Sequence, residues 1–333
     1  MRAHRVVTMS ERIHVVAAVV QDAGGRILVA RRPEHVHLGG LWEFPGGKLE
    51  PGEERLAGLR RELREELGIE IGSARPLIAV PHRYPDQDVL LDVWKLRAWR
   101  GEVHGREGQR LRWVTPAELA ELALPAADGP VLTALSLPSL YLVPPEPDAA
   151  GFVDTLETCL AAGVRLVQLR ARVTSRDRLE PIVAQCLAAC ARHGARLLLN
   201  ADPAVALALG AHGVHLSGAA LRLARKRDWP GGLLTGASCH DEDELRRAED
   251  RGVDFVVVGP VLPTRTHPDA KPLGWDRFAG LVAATRLPAF ALGGLGPADR
   301  PTAWAAGSQG IAAISAIWYA QDPAAVVATG RED

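Results

Sequence analysis

Residues Gly47 to Ile69 read GKLEPGEERLAGLRRELREELGI, a stretch whose residue types suit chemistry on phosphate. Glu53 follows Gly47, then Arg61-Glu62-Leu63, Glu65-Glu66 and Gly68-Ile69. Glu62 and Glu66 are four apart with Glu65 beside them, so three carboxylates crowd two turns of one predicted helix. Like charges at that spacing destabilise an isolated helix by a few tenths of a kcal/mol per pair, and a cation would offset them. Hard oxygen ligands clustered this way suit Mg²⁺ or Mn²⁺, which share their remaining positions with water and substrate phosphates. A salt-bridged surface helix, with Arg60, Arg61 and Arg64 among the acids, explains the charges but neither the two-glycine turn Gly46-Gly47 nor the spacing to Glu53.

The elements that must position these acids follow from pattern. Carboxylates at Glu53 and Glu54 suit a helix start, Gly68 suits its end, and Leu56, Leu59, Leu63 and Leu67 form an apolar face. Strand-like runs surround the helix at Ile13 to Val20, Arg26 to Ala30, Leu77 to Val80, Val89 to Ala98 and Arg110 to Val114, with a second helix at Pro116 to Leu122. After Ser136 to Ser139 the rhythm changes. Apolar strands recur at Leu140 to Val143, Leu166 to Leu169, Leu197 to Asn200, Val214 to Leu216, Leu233 to Ala237, Phe255 to Val258, Ala289 to Leu292 and Ile311 to Ile314, separated mostly by Ala/Leu-rich helical segments. That pattern predicts a parallel (β/α)8 barrel, a TIM barrel with its working face at the strand C-termini.

With 333 residues and a formal net charge of −1, the chain has room for about two domains and no general attraction to a nucleic acid polymer or a membrane. No apolar run reaches the length of a membrane span and no signal-peptide layout begins the chain, so a cytosolic location is expected. Cys159, Cys186, Cys190 and Cys239 lack zinc spacing and read as reduced, mostly buried thiols. Residues before Met9 read as an unstructured extension. Nothing in the pattern speaks to oligomeric state.

The Gly47 to Ile69 motif resembles the box of the Nudix hydrolases at each of its fixed positions, which implies an α/β/α sandwich with a mixed sheet over residues 9–137. Leu41-Trp42-Glu43-Phe44-Pro45-Gly46-Gly47-Lys48, Arg31-Arg32, Gly105-Arg106-Glu107-Gly108-Gln109 and Leu124 to Pro130 narrow the resemblance to the MutT-type 8-oxo-dGTP diphosphatases of nucleotide-pool sanitation. Carried over, the resemblance makes Glu62, Glu65, Glu66, Glu107 and Gly47 the metal site. Glu62 or Glu107 becomes the group that orients or deprotonates the attacking water, and Glu66 is catalytic with them. Arg32 and Lys48 become phosphate contacts, and Leu41 and Phe44 walls for the base. One position departs: Asp128 stands where the bacterial family usually places an asparagine that reads the oxidised purine. An amide accepts from N7–H of 8-oxoguanine while donating to O6, whereas an ionised aspartate only accepts. Either burial protonates Asp128 or the base preference differs.

Residues 139–325 resemble thiamine-phosphate synthase and the TenI thiazole tautomerases. The matching segments are Gln168-Leu169-Arg170, Leu199-Asn200, Gly213 to Leu216, Gly236 to His240, Gly259-Pro260-Val261 with Pro263-Thr264, Gly293-Gly294 and Ser315-Ala316-Ile317. They make Gln168, Arg170, Asn200, Ser238, Thr264, Gly294 and Ser315 the expected phosphate and ligand contacts. The departures are Ala201 and Ala220 where a synthase has Mg²⁺ ligands, Arg172 in place of a lysine, and Pro260 in place of the tautomerase histidine. His240 and His267 are the remaining proton-transfer candidates. Two functional classes compete. One is a nucleotide-sanitising hydrolase carrying a barrel without synthase chemistry. The other is a bifunctional thiamine-metabolism protein whose barrel acts on a thiazole or pyrimidine phosphate while the Nudix half acts on a related diphosphate.

Overall fold

The computed structural model describes residues 12–147, 150–170, 176–225, 232–264 and 269–329. The residues before Met9, Arg172 and His267 lie outside the described residues. The chain divides between Leu132 and Thr133 into two compact units.

In the first unit, strands β1 (Ile13–Val19), β2 (Ile27–Arg31), β3 (Trp42–Glu43) and β4 (Gly46–Lys48) precede helix α1 (Arg55–Leu67). Strands β5 (Glu70–Arg83), β6 (Asp88–Arg100) and β7 (Arg110–Val114) and helix α2 (Pro116–Glu121) follow, and the division falls within the next helix, α3 (Gly129–Ser136). The expected mixed sheet is present in the order β4-β1-β6-β5, and a separate three-stranded sheet, β3-β2-β7, accompanies it. β1 runs parallel to β6 and antiparallel to β4, which brings Val16 level with both Gly47 and Asp92.

Helix α1 begins where the Glu54 side chain accepts from the Ala57 N–H and ends at Gly68. Its leucines Leu59, Leu63 and Leu67 are fully buried against Val16, Ala18 and Leu28. A second lock fixes its N-terminus, where the Arg55 guanidinium meets the buried Asp92 carboxylate through bonds of 2.5 and 2.7 Å. The apolar stripe thus turns the acids of α1 toward β4.

In the second unit, β8 (Leu140–Leu142), β9 (Leu166–Arg170), β10 (Arg196–Asn200), β11 (Gly213–Leu216), β12 (Leu234–Cys239), β13 (Phe255–Val258), β14 (Ala289–Leu292) and β15 (Gly310–Ala313) close into a barrel. All its pairings are parallel, and β15 with β8 (Ile311 opposite Leu140) completes the ring. The strands read as continuous apolar runs because both faces are buried. One face packs on the surrounding helices, and the other fills the interior with Tyr141, Phe255 and Phe290, whose rings are 5.6 Å apart centre to centre. All four cysteines are free and buried, and burial pushes their thiols up.

Leu63 seats α1 on the sheet, so Leu63→Ala is expected to cost about 2–5 kcal/mol, as truncations of fully buried leucines do. Urea unfolding of the purified protein reads this directly, and a loss below about 1 kcal/mol would show that α1 is not held by this packing.

Candidate functional site

One cavity of about 430 Å³ in the first unit gathers Arg32, Phe44, Gly47, Lys48, Glu66 and Asp128. Arg32 follows directly on β2, and its guanidinium donates to the His37 carbonyl at 2.9 Å and pairs with the Glu43 carboxylate. The short strand β4 delivers Gly47 and Lys48, and the segment between α2 and α3 delivers Asp128. Leu41 does not line the cavity; its carbonyl accepts from the Arg32 N–H, and Leu38 and Val36 form the apolar wall in its place. Tyr84 and His37 also line it, with ring centres 5.3 Å apart in an edge-on arrangement. Sequence reasoning passed over both residues, because neither the tip of the β5–β6 hairpin, which carries Tyr84, nor the loop between β2 and β3, which carries His37, presents a motif at that residue.

The acids of α1 do not form one cluster. Among the described residues, no three His, Cys, Asp or Glu side chains converge closely enough to hold one metal ion. The Glu66 carboxylate accepts from the Gly46 N–H at 3.0 Å, and Glu62 accepts from Arg61 at 2.8 Å. Glu65 is exposed and reaches Arg61 at 3.3 Å. Glu107 lies on an exposed loop docked against α1, where the Arg106 N–H and the Gln109 amide both donate to the Glu66 carbonyl. Two donors hold these acids apart: the Gly46 N–H holds Glu66, and Arg61 takes the central place among Glu53, Glu62 and Glu65.

The donor set nonetheless suits a hard dication. Burial, with Glu107, Glu43 and Glu62 adding repulsion against the Gly46 hydrogen bond, pushes the Glu66 carboxyl up to about 8. A pocket that strains against its own negative charge is one that a dication would relieve. Gly47 lets the Glu62 carboxylate come close to the backbone there, since a Cβ at this position would displace it.

Asp128, on the same cavity, is 3% exposed. Burial, then the nearby Glu43, raises its carboxyl to about 7 despite Arg32. Glu43 is itself raised by burial, against the pull of Arg32.

In the second unit, Gln168, Arg170, Asn200, Ser238, Thr264, Gly294 and Ser315 all line one cavity of about 310 Å³. They come from the C-terminal ends of β9, β10 and β12 and from the segments after β13, β14 and β15. Gly293 and Gly294 adopt φ of 107° and 68°, a left-handed turn that brings backbone against the cavity. Beneath the mouth runs a polar column in which Tyr141 Oη meets His215 Nδ1 at 3.3 Å and His215 Nε2 meets Ser238 Oγ at 2.9 Å. His240 lines the cavity, and its Nδ1 lies 2.8 Å from the Glu244 carboxylate, which also accepts from Arg222 at 3.0 Å. The Nδ1 contact leaves Nε2 as the nitrogen able to exchange a proton with a bound molecule. The inward histidine of β11 and the tyrosine of β8 interrupt otherwise aliphatic strands, a signal that names them as interior polar groups.

A family model described as thiamine monophosphate synthase matches residues 140–317, more than half of the chain. The chain belongs to that family. A second model, described as NUDIX domain, matches residues 15–134, so this thiamine monophosphate synthase family member joins a Nudix hydrolase domain to a synthase-like barrel. The thiamine biosynthesis bifunctional protein ThiM/ThiE of Symbiobacterium thermophilum is 36% identical over 245 residues, covering 72% of this chain and 50% of that protein. The chain therefore spans half the length of that relative. The thiamine-phosphate synthase of Laribacter hongkongensis is 38% identical over 194 residues, 56% of this chain and 91% of that protein. A solved MutT structure, from work on Aliivibrio salmonicida and Vibrio cholerae, is 37% identical and covers 38% of this chain and 98% of its own, with a TM-score of 0.34.

Asp128 gives this family member a pH signature. Its folded-state pKa, about 7, stands above the ordinary carboxylate value of 3.8, so its contribution to stability is present at low pH and is lost as pH rises through about 7. Asp128→Asn carries no such loss. The stability of the variant relative to wild type is expected to increase from pH 5 to pH 8, reaching on the order of 2–4 kcal/mol. Thermal unfolding of both proteins across that range measures it, and a difference independent of pH would mean that the folded protein keeps Asp128 ionised throughout.

Proposed function

We propose that the Nudix half hydrolyses a nucleoside triphosphate to the monophosphate and pyrophosphate, and that 8-oxo-dGTP is the substrate its cavity fits best. The observation that carries this reading is the meeting of Arg32, Lys48, Phe44, Glu66 and Asp128 on one cavity of about 430 Å³. Two cations serve phosphate oxygens, Phe44 offers the base an apolar surface, and Asp128 serves its polar edge. A neutral carboxyl group presents one O–H donor and one carbonyl acceptor, the same pair as an amide. A protonated Asp128 therefore accepts from N7–H and donates to O6 of 8-oxoguanine, and a carboxyl held near pH 7 by burial is partly neutral under ordinary conditions.

Nudix hydrolases generally work with a divalent metal, Mg²⁺ or Mn²⁺. Glu62, Glu65, Glu66 and Glu107, with the Gly47 backbone, are the residues that would hold it. Bound there, it supplies charge neutralisation on the phosphates and a more acidic water. The protein's own part is positional. The Gly46 N–H fixes Glu66, Arg61 fixes Glu62, and the docked loop carries Glu107 against α1. Glu62 or Glu107 orients or deprotonates the attacking water.

A second reading, that the chain serves thiamine metabolism, is favoured by the barrel cavity. It collects all seven of the ligand contacts that the synthase resemblance names, and a bifunctional relative is named for thiamine biosynthesis. Against a working synthase stand Ala201 and Ala220. Asp202, the nearest acid, does not replace them, because its carboxylate caps the helix Pro203–Ala208 by accepting from the Ala204 N–H at 2.8 Å. The barrel therefore reads as a module that binds a phosphorylated heterocycle without coupling it.

Glu66→Gln keeps an acceptor for the Gly46 N–H but removes charge, so it is expected to lower hydrolysis by about 10²-fold or more, beyond the 10–100-fold typical of outer-shell losses. Turnover of 8-oxo-dGTP, dGTP and thiamine precursor diphosphates with saturating Mg²⁺ tests both readings, and wild-type rates in Glu66→Gln would remove the metal assignment. In the same assay Asp128→Ala is expected to weaken discrimination for 8-oxo-dGTP over dGTP by about 1–3 kcal/mol, while Asp128→Asn retains it. Unchanged ratios in both variants would take Asp128 out of base recognition.

A further inference from the structure

The barrel mouth is wider than the cavity its family resemblance explains. A second pocket of about 640 Å³ adjoins it, with Asn200, His215 and Ser217 on both linings. The two alanines that stand in place of carboxylates, Ala201 and Ala220, both face this second pocket. Pro203, Leu216, Leu223 and Ala224 complete an apolar wall, and Leu223 is 85% exposed at its rim.

The chemistry of the two spaces is complementary. Among the described residues, no Asp or Glu lines the central cavity, whereas Arg170, Ser238, Thr264, Ser315 and the Gly293-Gly294 turn do. An anion there meets donors and no carboxylate, and needs no metal to screen it. In the second pocket, Asp202 is the described acid, and its carboxylate is spent on the cap to Ala204. Ser217 is likewise turned to its own helix, accepting from the Ala220 N–H at 3.2 Å. A charged group placed against the methyl groups of Ala201 and Ala220 loses hydration that those side chains do not replace, whereas an apolar group gains by leaving water.

We propose that the barrel binds, without metal, a phosphomonoester whose uncharged apolar group occupies the pocket walled by Ala201 and Ala220. This rests on reading the central cavity as a phosphate site, and it narrows the ligand class: monoesters with an apolar tail are taken, and diphosphates extending into that pocket are disfavoured.

The test is isothermal titration of the full chain in EDTA, with inorganic phosphate, 2-phenylethyl phosphate and 2-phenylethyl diphosphate as probes. The phenylethyl monophosphate is expected to bind roughly tenfold or more tighter than inorganic phosphate, since burying a ring-sized apolar group is worth at least that, and tighter than the diphosphate. Replacing EDTA by Mg²⁺ should leave its Kd unchanged. Ala220→Leu, which fills the pocket, should abolish the preference for the ester while leaving phosphate affinity unaltered. Ala201→Asp, which puts a carboxylate on the same wall, should weaken the ester by a similar factor and provides a second variant should the first fail to fold. Phosphate binding with no gain from the phenylethyl group, a gain that survives both substitutions, or binding that requires Mg²⁺ would each overturn the proposal while leaving the phosphate site standing. No binding of phosphate or ester at millimolar concentration would overturn the phosphate-site reading itself.

Discussion

Negative charge held partly out of water is the constraint on which the Nudix half depends. Glu66 is a half-buried carboxylate that feels Glu107, Glu43 and Glu62, and a helix carrying so many acids survives only because other interactions hold it. Three do so. The leucine stripe seats α1 on the mixed sheet, Arg55 ties its first turn to the buried Asp92, and Arg61 stands among Glu53, Glu62 and Glu65. Arg61 draws Glu53 down to about 2, so that carboxylate is ionised over the whole working range and Arg61 stays anchored. The strain on Glu66 is thus local, kept at one point while its surroundings are satisfied. Perturbed acids of this kind belong to functional sites more often than to structural ones.

The barrel solves the opposite problem. Its interior is closed by Tyr141, Phe255 and Phe290, and above them the Tyr141, His215 and Ser238 column carries polarity to the mouth without any carboxylate. Burial drives the Tyr141 hydroxyl well above its usual range, so it remains a neutral donor. A column without carboxylates under the cavity lets an anion approach without repulsion from below. Glu244, the acid behind His240, is committed to Arg222 and to the ring and backbone of His240.

Much of the architecture was legible in the sequence because hydrophobic pattern and layer agree. β7 and β13 fall where the apolar runs place them, and α1 differs only at its first residues. β5 was read as Leu77 to Val80 but extends from Glu70 to Arg83, because its ends carry exposed polar residues and its pairing with β6 slips at three points. β3 and β4, of two and three residues, are too short to show a period, and α3 starts at Gly129-Pro130, residues that read as a loop. The site divides the same way. Contacts carried by a local motif, such as Gly47, Glu66 and Gly294, were visible. Tyr84, His37 and the replacement of Leu41 by Leu38 depend on how a hairpin tip and a loop meet, and no spacing along the chain encodes that. For the acids, the pattern shows that Glu62, Glu65 and Glu66 share a helix but not that Arg61 pairs with two of them.

Losing the metal carboxylates from a synthase-like barrel does not have to mean losing its function. The elements around Ala201 and Ala220 are held by their own contacts: Asp202 and Ser217 cap the two adjoining helices, and Asn200 donates to the His215 carbonyl at 2.7 Å across β10 and β11. The wall therefore holds its shape without charge. A metal-bearing mouth selects ligands by the number of phosphate oxygens they can offer. A methyl-lined mouth selects by what they bury, which shifts specificity from the leaving group to the rest of the molecule. His240, oriented by Glu244, lines the same cavity, so the barrel keeps a group able to exchange protons on the wall of that space.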